Sequence, residues 1–420
     1  MVCRKALVFS LLSLIFFIPL YSKESASEGL TLDQCLSIAL AQNPLILSSH
    51  QQYQASLARV NQAKALSQPS LDIDTDLQPG FFDLANIGES YFGLRQTLEF
   101  PGKRSLRGKI ASQESNEIMQ EIKLLKLDIA FQIKQAFFSL LLAKELQSYA
   151  EQNLGLSRDF LEKAEVKHET GDVAKVEVLR AQVEASKAAN EVRQANNSVK
   201  LAKALLNFLL ARKKHEPLEI QGELKQPPLD LDLESLIKKA MLSRPELKKI
   251  LFSLKREDYR KKEGILSYLP DFELGASKHW IEGEGSFWDV TLSLPIPLFF
   301  WQPIRGEVAE ARANHAALKS EEKHIQNAVV LEVEEAYRNA LTARNQIILF
   351  EQEILTQAEE VYNMFLFSYQ EGEIGGIELI EARRTLIDAR KSYADALFNY
   401  DVSLAALEKS VGQTLIGESK

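Results

Sequence analysis

The sequence predicts a mainly α-helical protein with a small transmembrane β part, built as two internal repeats. Each repeat holds long coiled-coil-like helices and one β-hairpin. Three observations predict this. Ala39 and Ala240, Pro44 and Pro245, Pro69 and Pro270, and Gly171 and Gly372 all pair at an offset of 201, and a constant offset over half a chain marks two copies of one unit. Residues 307 to 371 contain neither Gly nor Pro, and 109 to 170 contain only Gly155. Good helix formers fill both stretches; as one helix, the first would span about 98 Å. Finally, four short segments alternate apolar and polar residues with period two.

The organisation follows in order. Residues 1–22 read as a secretory signal, with Arg4 and Lys5 ahead of the apolar run Ala6 to Leu20. Small residues at Ser22 and Ser25-Ala26-Ser27 allow cleavage as late as residue 27. An uncleaved anchor is the alternative, although the run is short of the roughly 20 residues a membrane span needs. Residues 30–212 form the first repeat, with its hairpin at about 70–100. A Pro-containing polar linker covers 213–230, and its conformation is open. Residues 231–413 form the second repeat, with its hairpin at about 271–294, and 414–420 are a tail. Leu30-Thr31-Leu32-Asp33 returns as Leu231-Asp232-Leu233-Glu234, and Arg107-Gly108 as Arg305-Gly306 with the offset at 198.

Loss of the signal takes the net charge from −8 to about −10. An acidic exported chain is a poor partner for nucleic acid. Cys35 is then the sole cysteine, which excludes an intrachain disulfide. Its place between Leu32 and Ala39 marks it as a small buried residue.

In the first hairpin Leu71, Ile73, Thr75 and Leu77 share a face opposite Asp72, Asp74 and Asp76. Across Tyr91 to Phe100, Phe92, Leu94, Leu98 and Phe100 oppose Gly93, Arg95, Thr97 and Glu99, with Gln96 the polar residue on the apolar side. In the second, Phe272, Leu274 and Ala276 oppose Glu273, Gly275 and Ser277. Trp288, Val290, Leu292 and Leu294 oppose Asp289, Thr291 and Ser293. Pro79-Gly80 with Gly88, and Gly283 with Gly285, supply the turns. Eight to ten such residues suit a strand crossing a bilayer, lipid on one face and water on the other. The aromatics Phe81, Phe82, Tyr91, Phe100, Tyr268, Trp280 and Trp288 fit interfacial girdles. A soluble sheet with one wet face is the alternative. Four strands cannot close a barrel, and lipid does not tolerate an open edge. Membrane-spanning strands therefore require several chains to share one barrel.

The helix after Gly171 carries a heptad seam of Val178, Ala181, Ala185, Ala188, Val192, Ala195, Val199, Ala202, Leu206 and Leu209. Its counterpart runs Leu379, Ala382, Leu386, Ala389, Tyr393, Ala396, Tyr400, Ser403, Leu407 and Ser410. Heptads alone favour a soluble periplasmic coiled-coil adaptor or scaffold; the inserted hairpins tip the balance to a helical tube that continues a barrel wall.

In this order the text resembles the TolC-like outer-membrane efflux protein family over the whole mature chain. The N-terminal helix is Leu30 to Leu40 with Asn43-Pro44. The strand starts are Gln68-Pro69-Ser70-Leu71 and Tyr268-Leu269-Pro270-Asp271. The helix-hairpin tips are Glu169-Thr170-Gly171-Asp172 and Tyr369-Gln370-Glu371-Gly372-Glu373. Leu98-Glu99-Phe100-Pro101-Gly102-Lys103-Arg104 and Leu294-Pro295-Ile296-Pro297-Leu298 further resemble the cobalt-zinc-cadmium branch. The resemblance implies a homotrimer with a shared 12-stranded barrel in outer-membrane lipid and a periplasmic α-helical tube. It also implies a periplasmic adaptor and an inner-membrane RND-type pump or ABC transporter as partners. Efflux is the implied role, with a type I protein secretion duct as the alternative.

Asp72, Asp74, Asp76, Arg95, Glu99, Glu273 and Asp289 are the expected pore-facing residues. By the resemblance, Gly171, Asp172, Glu371, Gly372, Glu373 and Glu378 mark the periplasmic gate and adaptor-docking tips. Helix capping competes with gating for Asp172 and Glu378. Glu371, at a helix C-terminus where the dipole disfavours an anion, fits an acidic ring. His50, His168, His215, His279, His315 and His324 include no pair at i, i+3 or i, i+4, so no helix face offers a metal site. With no phosphate loop, nucleophile elbow or Cys-His pair, neither an enzyme nor a cofactor is expected.

Overall fold

The computed structural model describes residues 29–76, 88–213, 216–227, 232–295 and 301–413. The signal, the first hairpin's turn with Phe81 and Phe82, and the tail lie outside the described residues. Helix α1 (Leu32–Gln42) opens on a capping box, in which Thr31 and Gln34 satisfy each other's backbone N–H groups. Helix α2 (Pro44–Ala63) follows at once. Asn43 ends α1 in extended geometry and caps α2 by accepting from the Leu45 N–H at 2.9 Å. Pro44 sits where its missing donor is harmless. The same junction recurs at Arg244-Pro245, between α5 (Leu233–Ser243) and α6 (Pro245–Leu266).

Each helix pair leads into a hairpin: β1 (Ser70–Asp76) and β2 (Glu89–Leu98), then β3 (Phe272–Ile281) and β4 (Gly285–Ser293). The hairpins join into one antiparallel sheet of order β1-β2-β3-β4. β2 pairs with β3 from Glu89↔Ile281 to Leu98↔Phe272. Gly93 permits that contact, because a Cβ there would lie 2.6 Å from the Ser277 Cβ. β2 begins and ends two residues earlier than the alternation from Tyr91 to Phe100 suggests. Pro101 and Gly102 turn the chain into the next helix, and Gly102 holds φ 105°.

Helix α3 (Lys103–Glu169) runs 67 residues, about 100 Å at 1.5 Å per residue. It returns as α4 (Lys175–Leu209). In the second half α7 (Trp301–Leu349) passes through a π-helical segment, Phe350–Ile354, into α8 (Leu355–Gln370), which returns as α9 (Gly376–Val411). The Gly- and Pro-free stretch is therefore not one uniform α-helix. The matching dipeptides Arg107-Gly108 and Arg305-Gly306 are also not structural counterparts. Gly108 is buried and faces Lys64, whereas a side chain at Gly306 would meet open space.

Two apolar clusters organise the body. Cys35, Ala39, Ile133, Phe137, Leu140 and Leu206 centre the first. Leu236, Ala240, Val333, Ala340, Tyr400 and Leu407 centre the second. Cys35 is fully buried, and desolvation pushes its thiol up to about 11, against the opposing pull of Arg212. The described part of the linker, residues 216–227, is an extended strap. Leu218 and Ile220 plug into the first cluster. Ile220 bridges Leu30 in parallel, and Glu219 pairs with Lys144 (3.0 Å) and Lys203 (2.6 Å). Further along, the Tyr400 hydroxyl donates to the Pro227 carbonyl at 2.6 Å.

Candidate functional site

The sheet separates its two faces much as the alternation requires, although Lys278 lies between Phe92 and Trp288 on the apolar face and Phe287 lies beside His279 on the polar one. Leu71↔Leu94, Ile73↔Phe92, Leu274↔Leu292 and Ala276↔Val290 align apolar side chains on one face. These stand bare: Val290 is 82 % and Trp288 75 % exposed. Large apolar groups so exposed demand a non-aqueous partner. Gln96 is reconciled with this face near its helix-side end, where its amide donates to the carbonyls of Ser67 (2.6 Å) and Thr97 (2.9 Å).

The opposite face forms a concavity of about 650 Å³ that Asp72, Asp74, Tyr91, Arg95, Ser277, Asp289 and Thr291 help to line. Asp72 pairs with Arg95 at 3.1 Å, and both stay about half exposed. Asp76 lies opposite Glu89, and Glu273 lies between Thr97 and Ser293. The pairing places Tyr91 on this polar face rather than in an aromatic girdle. Its ring stacks on His279 at 4.0 Å and its hydroxyl donates to Glu89 at 2.6 Å. Glu99 falls one residue beyond β2. It accepts from Arg107 at 2.8 Å, while Arg107 also donates to the Ala63 carbonyl at 3.0 Å. Glu99 thus anchors the corner between sheet and helices. Asp271 does the same from the other hairpin, accepting from the Phe100 N–H (2.7 Å) and Lys103 (2.8 Å).

At the far end of the helices the two tips close alike. Gly171 (φ 85°) and Gly372 (φ 79°) take the left-handed conformation. The N–H of Asp172 bonds to the Lys167 carbonyl and that of Gly171 to His168. Glu373 and Gly372 repeat this with Ser368 and Tyr369. Both are Schellman motifs, which satisfy the terminal carbonyls of α3 and α8. Asp172 does not cap α4. Its carboxylate accepts from the Thr170 hydroxyl at 2.7 Å. Glu378 lies in the first turn of α9, as the dipole favours. Glu371 is the C-cap of α8, and Glu371 and Glu373 are exposed.

The tips also grip each other, which the sequence alone did not reveal. Lys167 donates to the Tyr369 carbonyl at 3.3 Å and lies over its ring. Phe160 packs on Tyr369 with Ala164, Ala181, Leu379 and Ile380. Burial, reinforced by the nearby Glu177 charge, raises the Tyr369 phenol. Arg383 is 5 % exposed, and desolvation lowers its pKa against the pull of Glu184. Burial would raise Glu184, but hydrogen bonds from Lys187 and Arg384 outweigh it and hold Glu184 below the ordinary carboxylate range. Behind the tips, the predicted α4 seam is buried or half-buried throughout, and so is its α9 counterpart.

A bare apolar sheet face backed by a charged concave one, on a stalk of helices about 100 Å long, defines an outer-membrane channel subunit rather than an enzyme. The comparisons agree: the outer membrane efflux protein family matches residues 35–212 and 236–413, and the chain belongs to that family. It is 22 % identical over 411 residues, 94 % of this chain and 93 % of the other, to the cobalt-zinc-cadmium resistance protein CzcC of Cupriavidus metallidurans. Its fold matches the CmeC outer membrane channel of Campylobacter jejuni with a TM-score of 0.77. Identity there is 16 %, over 92 % of this chain and 87 % of that one. The channel CusC matches with a TM-score of 0.77 and 16 % identity, over 91 % and 92 % of the two chains. Among the described residues no helix is long and apolar enough to cross a membrane, which says nothing of a β-barrel. The family membership leaves a soluble adaptor without support.

Proposed function

We propose that the chain is one third of a trimeric exit duct for a tripartite efflux system, carrying heavy-metal cations outward. The carrying observation is the four-stranded sheet, whose edges β1 and β4 have no partner strand among the described residues. Unpaired edges are untenable in lipid. Pairing β4 of one copy with β1 of the next satisfies both, and three copies give a shared 12-stranded barrel. The helices support the same closure. The two halves meet along β2–β3 and α3–α6. In a two-copy chain the counterparts are β4–β1 and α7–α2, and α2 shares no substantial contact with α7 in one chain. Those seams would form between copies and continue the barrel as a periplasmic tube.

In such a barrel the polar face lines the water path. Its charges among the described residues are Asp72, Asp74, Asp76, Glu89, Glu273 and Asp289 against Arg95. That acidic excess favours cations. The likeness to a cobalt-zinc-cadmium resistance protein supports metal cations as cargo. At the tips, three copies each of Glu371 and Glu373 make an acidic ring around the periplasmic mouth. Gly171, Asp172, Gly372 and Glu378 shape the surface that meets a periplasmic adaptor and, through it, an RND-type or ABC pump.

The test is the mass and conductance of detergent-extracted mature protein. A pore-forming trimer is expected; a water-soluble monomer or dimer without conductance overturns the reading. Replacing Glu371 and Glu373 together by Ala should change resting conductance or lower its cation preference in a planar bilayer. Unchanged single-channel behaviour would remove the acidic ring.

A further inference from the structure

One histidine in the sheet is held as a metal ligand is held. His279 projects from β3 onto the polar face, directly across from Tyr91 of β2 and Phe287 of β4. Its Nε2 contacts the Glu89 carboxylate, which also accepts the Tyr91 hydroxyl at 2.6 Å. Tyr91 stacks flat on the imidazole, with 21° between the planes. Carboxylate and ring together fix the orientation of His279 and place the proton of a neutral imidazole on Nε2. Nδ1, left unprotonated, then lies 3.5 Å from Oδ2 of Asp289. Two acceptors so placed repel unless a proton or a metal ion lies between them.

The gap has the size a metal ion needs. Ligand bonds of about 2.1 Å from Nδ1 and from Oδ2 would meet at about 110°, near the tetrahedral angle. Glu89 behind Nε2 supplies the carboxylate–histidine support that orients imidazole ligands and raises their basicity. Among the described residues no set of three or more His, Cys, Asp or Glu ligands converges. Water must therefore complete the shell, and a two-ligand site holds its ion loosely. Loose holding suits a conduit, where an ion must enter and also leave.

We propose that His279 Nδ1 and the Asp289 carboxylate form a weak site for borderline transition-metal dications in the pore wall, one per chain, positioned by Glu89 and Tyr91. The role as a pore station rests on the channel reading above. Imidazole selects zinc-like ions over magnesium and calcium, which prefer all-oxygen shells. The other charged groups near the ring are Asp74 and Asp76 on β1, one strand beyond Tyr91 and Glu89. They add negative charge to the approach.

The test is a cobalt(II) titration of detergent-extracted full-length protein, followed by its visible absorption. One His279-dependent cobalt per chain is expected, displaced by zinc and not by magnesium. His279→Gln should abolish it. Glu89→Gln should weaken it by about ten-fold or more, as loss of an outer-shell carboxylate does. Asp289→Asn, on β4, tests the site without touching the Tyr91–His279 stack and should also abolish binding. Equal titration of wild type and the His279 and Asp289 variants overturns the proposal, as does equal displacement by magnesium. The pore reading is scored separately, by potassium conductance without added metal. Conductance without His279-dependent cobalt binding sinks the site alone; binding without conductance sinks the pore alone.

Discussion

Ser56 in the first half of the chain and Glu257 in the second lie 201 residues apart, on matching helices, and both are buried. Ser56 donates to Ser115 at 2.9 Å, a small neutral contact between α2 and α3. Glu257 is part of an ionic cluster. Arg256 reaches it at 3.0 Å and Arg260 at 3.1 Å, while Arg256 also donates to both oxygens of Glu117 on α3. Desolvation raises Glu117 despite this pairing. The difference follows from position. α6 lies between α7 and α3 and must tie the two halves together, whereas α2 packs along α3 and has no such second long partner. One fold element, used twice, carries a charged clamp only where the chain joins itself.

The comparison breaks most sharply at the clamp. Arg256→Ala leaves Glu117, 8 % exposed, without its cation, while Glu257 keeps only Arg260 at 3.1 Å. Stranding a buried charge costs about 3–5 kcal/mol. Ser56→Ala, the matched change in the first half, should cost only about 1–2 kcal/mol, the loss of neutral hydrogen bonding to the Tyr53 carbonyl (2.6 Å) and to Ser115 (2.9 Å). Thermal melts of both variants at one scan rate measure the contrast. Equal destabilisation would mean the clamp is no stronger than the serine pair.

A second contrast lies in the return helices. Asp401 on α9 has Lys200 as its counterpart on α4. Asp401 is 7 % exposed, and burial pushes its carboxyl up to about 7, although the Lys225 backbone N–H draws it down. An unfolded Asp titrates near about 3.9, so between there and 7 the folded state binds the extra proton. Stability should therefore be highest below about pH 4, fall as pH rises toward 7, and level off above. Asp401→Asn should remove that slope and raise stability at pH 8 by on the order of 2 kcal/mol. Melting the two proteins between pH 5 and pH 8 reads the effect directly. A slope that survives in the variant assigns it to another group.

Much of this was legible in the sequence, for reasons that vary by element. Gly171 and Gly372 announce helix ends because only glycine takes their conformation without strain. Period two sorts Leu71, Ile73 and Asp74 onto their faces because strand side chains alternate without exception. The same rule says nothing about which strand lies alongside. The group of Glu89, Tyr91, His279 and Asp289 is therefore not legible in the sequence, since its members come from three strands and no helical spacing relates them. Nearness to a strand end likewise suggests a girdle position for Tyr91, although its parity with Arg95 puts it on the wet face. The π segment left a fainter trace. Buried Ile133, Ala136 and Leu140 match Val333, Ala336 and Ala340 at an offset of 200, while Ser157 and Ala358 match at 201. One extra residue in the second half lies between these points, as do Phe350–Ile354. A single π turn absorbs one residue and restores the buried face beyond it.

The smallest contrast is the most economical to test. Both return helices end in a left-handed residue 201 apart, Ala211 at φ 55° and Gly412 at φ 77°. The geometry is the same because the same apolar ends, Leu206 with Leu210 and Leu407 with Val411, dock into their clusters. Glycine takes this conformation freely, but a Cβ clashes with the carbonyl that follows, costing about 1–2 kcal/mol. The first half thus carries strain that the second avoids. Ala211→Gly should relieve it, offset in part by the greater freedom of glycine in the unfolded chain, for a net gain of about 1 kcal/mol. Gly412→Ala should lose a similar amount. The space there is not the obstacle, since an added Cβ would lie 3.5 Å from its nearest neighbours on Arg244 and Ser243. Opposite shifts in melting temperature would show that the two helix ends obey one backbone rule with different residues. If Ala211→Gly instead lowers stability, the alanine methyl contributes packing that outweighs its strain, and the ends are alike in shape but not in what holds them.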